Sequence, residues 1–199
     1  MIKPRNEMIA ETRAKLIAAA RHAFGTVGYA AASMDDFTAA VGLTRGALYH
    51  HFGDKKGLLE AVIDEIDDEM CQRLKVISDR APDRWHGVVD EWIAYIEMAL
   101  EPEIQRIMFR DGPAVLGDFS QRPSAQRCIE ALTESLRALR DDEVIIDAEP
   151  AALARLINGA SSHAAAWIAS SSEPGTTSAQ AVKGFRLLLE GLLRRPPAD

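Results

Sequence analysis

The stretch Ser33 to Lys56, SMDDFTAAVGLTRGALYHHFGDKK, concentrates side chains that hold anions and read hydrogen-bonding edges. Thr44, Arg45, Tyr49, His50 and His51 are all donors or flat rings, and Gly46 and Ala47 among them are small enough for one backbone to approach another. Donors and flat rings on one short helix, with room for a backbone to approach, suit the phosphates and base edges of a nucleic acid. Lys55 and Lys56 sharpen that reading. Cations in the first turn of a helix oppose its dipole unless an anion compensates them, and a phosphate at the N–H groups of Asp54 to Gly57 would do so.

Other chemistries fit less well. His50 and His51 are adjacent, and neighbours on a helix point about 100° apart, so they rarely share a metal ion. Asp64, Glu65, Asp67, Asp68 and Glu69 come without a Glu-x-x-His partner and read as a solvated face. Asp83, His86 and Asp90 share one helical face, but would need a further ligand from elsewhere to hold an ion. Cys71 and Cys128 lie far apart, without a cysteine or histidine at ligand spacing, and read as free thiols. Gly-x-Ser-x-Gly, His-Glu-x-x-His and glycine-rich phosphate loops are absent from the sequence, so neither an enzyme nor a cofactor or metal site is expected.

The elements that position the donor-rich stretch can be read from apolar spacing and caps. Leu16, Ile17, Ala20, Ala23 and Phe24 recur at helical intervals up to Gly28 and define a first helix. Ser33 is an N-cap for a short second helix with Asp35 and Asp36 in its first turn, Phe37, Ala40 and Val41 inward, and Gly42 at its end. Thr44 caps a third, which turns Leu48 and Phe52 inward and stops at Gly53. Two helices joined by a short glycine-containing turn make a helix-turn-helix, whose second helix enters the major groove. Asp54 then caps a long fourth helix with an apolar stripe from Leu59 through Ile66 and Met70 to Ile77.

Residues 16–62, LIAAARHAFGTVGYAAASMDDFTAAVGLTRGALYHHFGDKKGLLEAV, closely resemble the DNA-binding domain of the TetR family of bacterial regulators. Beyond about residue 80 the likeness is architectural only. The resemblance implies that Thr44, Arg45 and His50 face base edges or adjacent phosphates and that Gly46 permits close backbone approach. It further implies phosphate contacts for Tyr49 and Lys55, and also for Ser33 and His51. Many family members carry a polar or bulkier residue where this chain has Ala47, which limits readout there to a thymine methyl. Arg13, and an arm carrying Lys3 and Arg5, would add phosphate or minor-groove contacts.

In the rest of the chain, Pro82, Pro102, Gly112-Pro113 and Pro123 predict breaks between helices near 83–100, 103–110 and 124–140. An acidic loop at 141–149 precedes a helix opened by Pro150, and a last helix runs to Leu192. The family resemblance implies a small-molecule effector in this body. Trp92, Tyr95, Ile96, Met108, Phe109, Leu132, His163 and Trp167 are the candidates to line its site. The Ala-, Gly- and Ser-rich helix with Leu153, Leu156, Ala160 and Ala164, and the seam Val182, Phe185, Leu189 and Leu192, are expected to form a dimer interface.

Over its 199 residues the chain carries a net charge of -7, which at first argues against DNA. Its distribution reverses the argument: residues 1–56 hold eight Lys and Arg against five Asp and Glu, which leaves the remainder at -10. The expected fold class is all-α, with about nine helices. An N-terminal three-helix helix-turn-helix DNA-binding domain (1–55) is joined through the long fourth helix to a C-terminal helical effector-binding and dimerisation domain (56–199). Without an apolar run long enough for a bilayer or a secretory signal, the protein is expected in the cytoplasm, with no membrane partner. Its expected partners are double-stranded operator DNA, a second copy of itself and an unidentified small-molecule effector. The function expected is that of a repressor released from a palindromic operator by a small apolar or amphipathic molecule. The alternative is a regulator or activator that takes no such effector and is controlled by a protein partner.

Overall fold

The computed structural model describes residues 5–42 and 44–194, with the backbone alone for Arg5, Asn6, Ala40, Ala47 and Ser120. No strand occurs among the described residues; an isolated antiparallel bridge pairs Ile145 with Leu193. Packing divides the chain into two units, Met1–Asp68 with Pro102–Gly117, and Glu69–Glu101 with Asp118–Asp199.

The first unit holds α1 (Arg5–Thr26), α2 (Met34–Ala40), α3 (Arg45–Phe52) and the first part of α4 (Lys55–Arg80). α1 begins well before the apolar stripe that announces it, because Glu7 to Lys15 is largely exposed and carries no stripe. Helix-favouring residues and the Glu11–Lys15 pair at 3.2 Å support those turns instead. Leu16, Ala20, Phe24, Leu48, Leu59 and Ile63 are wholly buried. The Phe24 ring meets Phe37 edge-on at 5.4 Å and lies 5.6 Å from Tyr29, so it ties α1 to α2 and to the intervening loop. Gly28, Gly42 and Gly53 end their helices with φ of 86°, 66° and 75°, a region that a side chain disfavours. Ser33 caps α2 as expected, its Oγ accepting from the Asp35 N–H at 3.2 Å.

Residues 102–117 pack with this unit although they are remote in sequence. Arg21 on α1 donates to Glu65 at 3.1 Å and to both oxygens of Glu103 at 2.8 and 2.9 Å. Arg106 donates to the Thr26 and Gly25 carbonyls, and Asp111 accepts the Tyr29 N–H at 2.7 Å. The break predicted at Gly112-Pro113 does not occur. α6 (Pro102–Arg106) passes through a π-helical turn (Ile107–Asp111) into α7 (Gly112–Leu116). Within that turn the Gly112 N–H reaches back to the Ile107 carbonyl, so the ladder has already slipped by one residue where Pro113 offers no N–H. Taken as one continuous helix, α6 and α7 bring the described residues to the nine helices expected.

The second unit contains the end of α4, α5 (Arg84–Glu97) with a 3₁₀ turn at Met98–Leu100, a short 3₁₀ turn at Phe119–Gln121, α8 (Pro123–Asp141), α9 (Pro150–Ser170) and α10 (Pro174–Glu190). Proline opens α8, α9 and α10, where its missing N–H costs nothing. Asp83 caps α5, accepting from the His86 N–H at 2.9 Å and meeting its Nδ1 at 2.8 Å. Those hydrogen bonds hold the Asp83 carboxyl below its ordinary pKa. Asp83 and His86, whose spacing also suits ion ligands, thus cap a helix. Among the described residues no helix is long and apolar enough to cross a membrane, and no group of three or more His, Cys, Asp or Glu could hold a metal ion.

Phe24 sits at the centre of the first unit with no exposed surface, whereas nearby Val27 is 53% exposed. Phe24→Ala is expected to lower stability by about 3–5 kcal/mol in urea denaturation, and Val27→Ala by no more than about 0.5 kcal/mol.

Candidate nucleic-acid interface

α3 is short, and its orientation is set by which side it buries. Leu48 is wholly covered and anchors it, while Arg45, Gly46, Tyr49 and His50 are exposed, and Tyr49 is 51% accessible. Thr44 is exposed just before the helix. His51 and Phe52 are half-buried, the His51 ring standing 5.6 Å from His50 and 6.1 Å from Phe52. Ser33, half-buried, is engaged as the α2 cap. A Cβ at Gly46 would meet nothing closer than Thr44 Oγ1 at 3.8 Å, so that surface is open to an approaching backbone. Ala47 lies on α3 with its side chain outside the described residues, as do Lys3 and the Arg5 side chain.

The turn from α3 into α4 is tight. Gly53 bonds back to the Tyr49 carbonyl at 2.9 Å, and Asp54 caps α4 by accepting the Gly57 N–H at 2.7 Å. A Cβ at Gly57 would collide with the Phe52 carbonyl oxygen, an approach that only glycine permits. This junction brings Lys55 against Tyr29. Its ammonium stands 4.5 Å from the ring centroid and 3.4 Å from the Ala30 carbonyl, and partial burial lowers its pKa. Burial, and then the charge of Asp54, raise the Tyr29 phenol. At the same end of α3 the Arg13 guanidinium lies 5.2 Å over the Phe52 ring.

Arg45 is held across the helix-turn-helix. Its Nε and Nη2 donate to the two carboxylate oxygens of Asp35 on α2, and this bonding, followed by the Asp35 charge, raises the arginine pKa. Sequence reasoning missed Asp35 and Tyr29 as partners. Asp35 reads locally as a first-turn acid, and Tyr29 lies in a loop between helices, so no spacing rule links either to its cation.

Of the residues considered for an effector, Trp92, Ile96 and Leu132 are buried in the second unit, with Tyr95 half-buried 6.0 Å from Trp92. Met108 and Phe109 belong to the π turn of the first unit. His163 and Trp167 are exposed, on the side of α9 opposite to Ile157, Ala165 and Ile168. Of the residues considered for dimer contacts, Ala164, Phe185 and Leu189 are buried within the protomer, because α9 and α10 pack against each other. Leu153, Ala160, Val182 and Leu192 are half-buried, and Leu156 is 69% exposed. α10 carries a second apolar pair on its open side, Leu187 and Leu188.

The fold and this surface define a helix-turn-helix protein with a helical C-terminal body. Residues 16–62 match the family described as bacterial regulatory proteins, tetR family, and residues 85–192 match the tetracyclin repressor-like C-terminal domain. A solved TetR-family transcriptional regulator from Pectobacterium atrosepticum is 51% identical over 98% of this chain and 100% of its own, with a TM-score of 0.89. The chain belongs to the TetR family of transcriptional regulators, which are DNA-binding proteins and not enzymes. It is also similar to the HTH-type transcriptional regulator TtgR of Pseudomonas putida, 38% identical over 34% of this chain. The HTH-type transcriptional repressor AcnR of Corynebacterium jeikeium is 35% identical over 32% of it. These two alignments span 32% and 34% of the relatives' own lengths, about a third of each.

Because the Phe52 carbonyl occupies the space beside Gly57, Gly57→Ala must shift α3 against α4. Its expected effect is at least about a tenfold loss of DNA affinity in fluorescence anisotropy, with a lower melting temperature, whereas Gly46→Ala should melt like the parent.

Proposed function

We propose that this chain is a homodimeric repressor that leaves a palindromic operator when a small apolar or amphipathic molecule binds its body. The observation that carries the reading is α3, which leaves Arg45, Tyr49 and His50 exposed while Leu48 anchors it to the core, with Lys55 beside it. Thr44, Arg45 and His50 read base edges or neighbouring phosphates, and Gly46 and Ala47 allow close approach. Tyr49, Lys55, His51 and Ser33 hold the backbone. Residues 1–55 do the DNA binding and residues 56–199 provide the effector and dimer functions. The repressor assignment follows the name of the Corynebacterium relative.

The dimer forms through the open sides of α9 and α10, where Leu156, Trp167, Leu187 and Leu188 leave apolar surface exposed. A Cβ at Gly159 or Gly184 would meet nothing within 4 Å, so a partner helix can come close there. Two-fold symmetry presents two copies of α3 to two half-sites. The effector engages the apolar groups around Trp92, Tyr95, Ile96 and Leu132, and acts by binding the operator-competent and released states with different affinity. In the first unit, Asp111, Arg106 and Glu103 are bonded to the end of α1 and the loop after it. Displacement of residues 102–111 would therefore be felt at the base of the helix-turn-helix.

A mobility-shift titration with duplex from the gene's own upstream region tests the DNA contacts. Tyr49→Ala and Lys55→Ala should each weaken binding about tenfold or more, the loss of one hydrogen bond to a charged group, and Lys55→Ala should also reduce the salt slope by about one. Binding as tight as the parent's would refute the contact assignment. Separately, Leu188→Arg should turn a dimer into a monomer in sedimentation at micromolar concentration, while Lys183→Ala on the same helix should not.

A further inference from the structure

We propose that Asp35 is a specificity-determining residue, which positions Arg45 to read one base pair and at the same time weakens binding to DNA in general. The inference rests on the assignment of α3 as the recognition helix and adds a residue from α2 to its work.

The donors that the pair consumes decide which ones remain for DNA. A guanidinium has five N–H groups arranged as a side-on edge, Nε with Nη2, and an end-on edge, Nη1 with Nη2. Asp35 takes the side-on edge, one carboxylate oxygen to each nitrogen. The end-on edge, with one N–H on each terminal nitrogen, is left for an outside acceptor pair. Guanine O6 and N7 form such a pair in the major groove. Both side chains are open to solvent, 61% for Arg45 and 59% for Asp35, so a DNA edge can reach the guanidinium without breaking the pair.

Selectivity is affected in two ways. A free arginine on a recognition helix samples many rotamers and satisfies itself on any phosphate. One clamped along its side edge has fewer orientations, and the ordering has been done before DNA arrives. Meanwhile the Asp35 carboxylate, presented beside the helix that meets DNA, repels phosphate and discourages sequence-independent attachment. An attraction made only at the right base, together with a repulsion felt everywhere, raises the ratio of specific to non-specific binding. Asp35 makes no base contact in this scheme and acts through Arg45.

The test compares the full-length protein with Asp35→Asn, Asp36→Asn, Arg45→Ala and the Asp35→Asn/Arg45→Ala double variant. Each is equilibrated with a pool of random-sequence duplexes, the bound fraction is sequenced, and affinity for a fixed unrelated duplex is measured alongside. Asp36→Asn removes the same charge one residue away and serves as the electrostatic control.

Arg45→Ala should flatten the preference at one position of each half-site. Asp35→Asn should reduce discrimination at that same position by about tenfold and tighten binding to the unrelated duplex. Asp36→Asn should tighten binding to the unrelated duplex while keeping every preference. In the Arg45→Ala background, Asp35→Asn should change the preference no further. Equal melting temperatures for Asp35→Asn and Asp36→Asn, and faster solvent exchange of the Arg45 Nε–H in Asp35→Asn, would tie the effect to the pair and not to the fold.

If Asp35→Asn retains the full preference, or tightens specific and unrelated binding alike, the pair is an incidental ion pair and the inference fails while the α3 assignment stands. If Arg45→Ala leaves every position unchanged, the assignment of α3 contacts fails and the inference with it.

Discussion

The whole interface hangs on the approach of the Phe52 carbonyl to the α-carbon of Gly57. An eight-residue helix such as α3 is too short to hold itself, and Leu48 is its one side chain buried completely among those described. The contact at Gly57 joins its end to the start of a helix of 26 residues, whose own stripe is sunk in the core. Gly53 reverses the chain, Asp54 caps the new helix, and Lys55 is delivered to Tyr29 in consequence. Remove the close approach and the donor face, the lysine and the helix end would no longer share one geometry.

Around this junction the cations are occupied before any DNA arrives. Arg45 lies on Asp35, Lys55 on the Tyr29 ring and Arg13 on the Phe52 ring. Each partner is a weak competitor for a phosphate, because an aromatic face or an exposed carboxylate gives up little when a second acceptor is added. What the partners supply is order. α3 carries a single long basic side chain, Arg45, and the -7 net charge of the chain arises beyond residue 56, since residues 1–56 hold eight Lys and Arg against five Asp and Glu.

The second organising feature is the polar attachment of residues 102–111 to α1 and the loop beyond it. Arg21 bridges Glu65 and Glu103, so α1, α4 and α6 share one guanidinium, and Asp111 receives a backbone N–H at the loop. The π turn at Ile107–Asp111 sets the register in which Asp111 meets that N–H. One residue of slip in the helix would carry it about 100° around the axis.

The helix-turn-helix was legible in the sequence because its signals are local. Ser33 and Asp54 as caps, Gly28, Gly42 and Gly53 as helix ends, and Leu48 as the inward residue all follow from neighbours within a turn or two. The all-α class and the family resemblance over residues 16–62 came from the same kind of pattern. Tertiary structure alone decided what depends on pairs distant along the chain. Asp35 and Arg45 are ten residues apart and Lys55 and Ala30 twenty-five, and neither pair has a spacing rule. It also decided which of two apolar stripes each helix keeps for itself. Phe185 and Leu189 repeat as regularly as an interface seam should, yet α9 covers that side of α10 and leaves Leu187 and Leu188 open. Periodicity states that a helix has an apolar face; what faces it is fixed only by the packing of the rest of the chain.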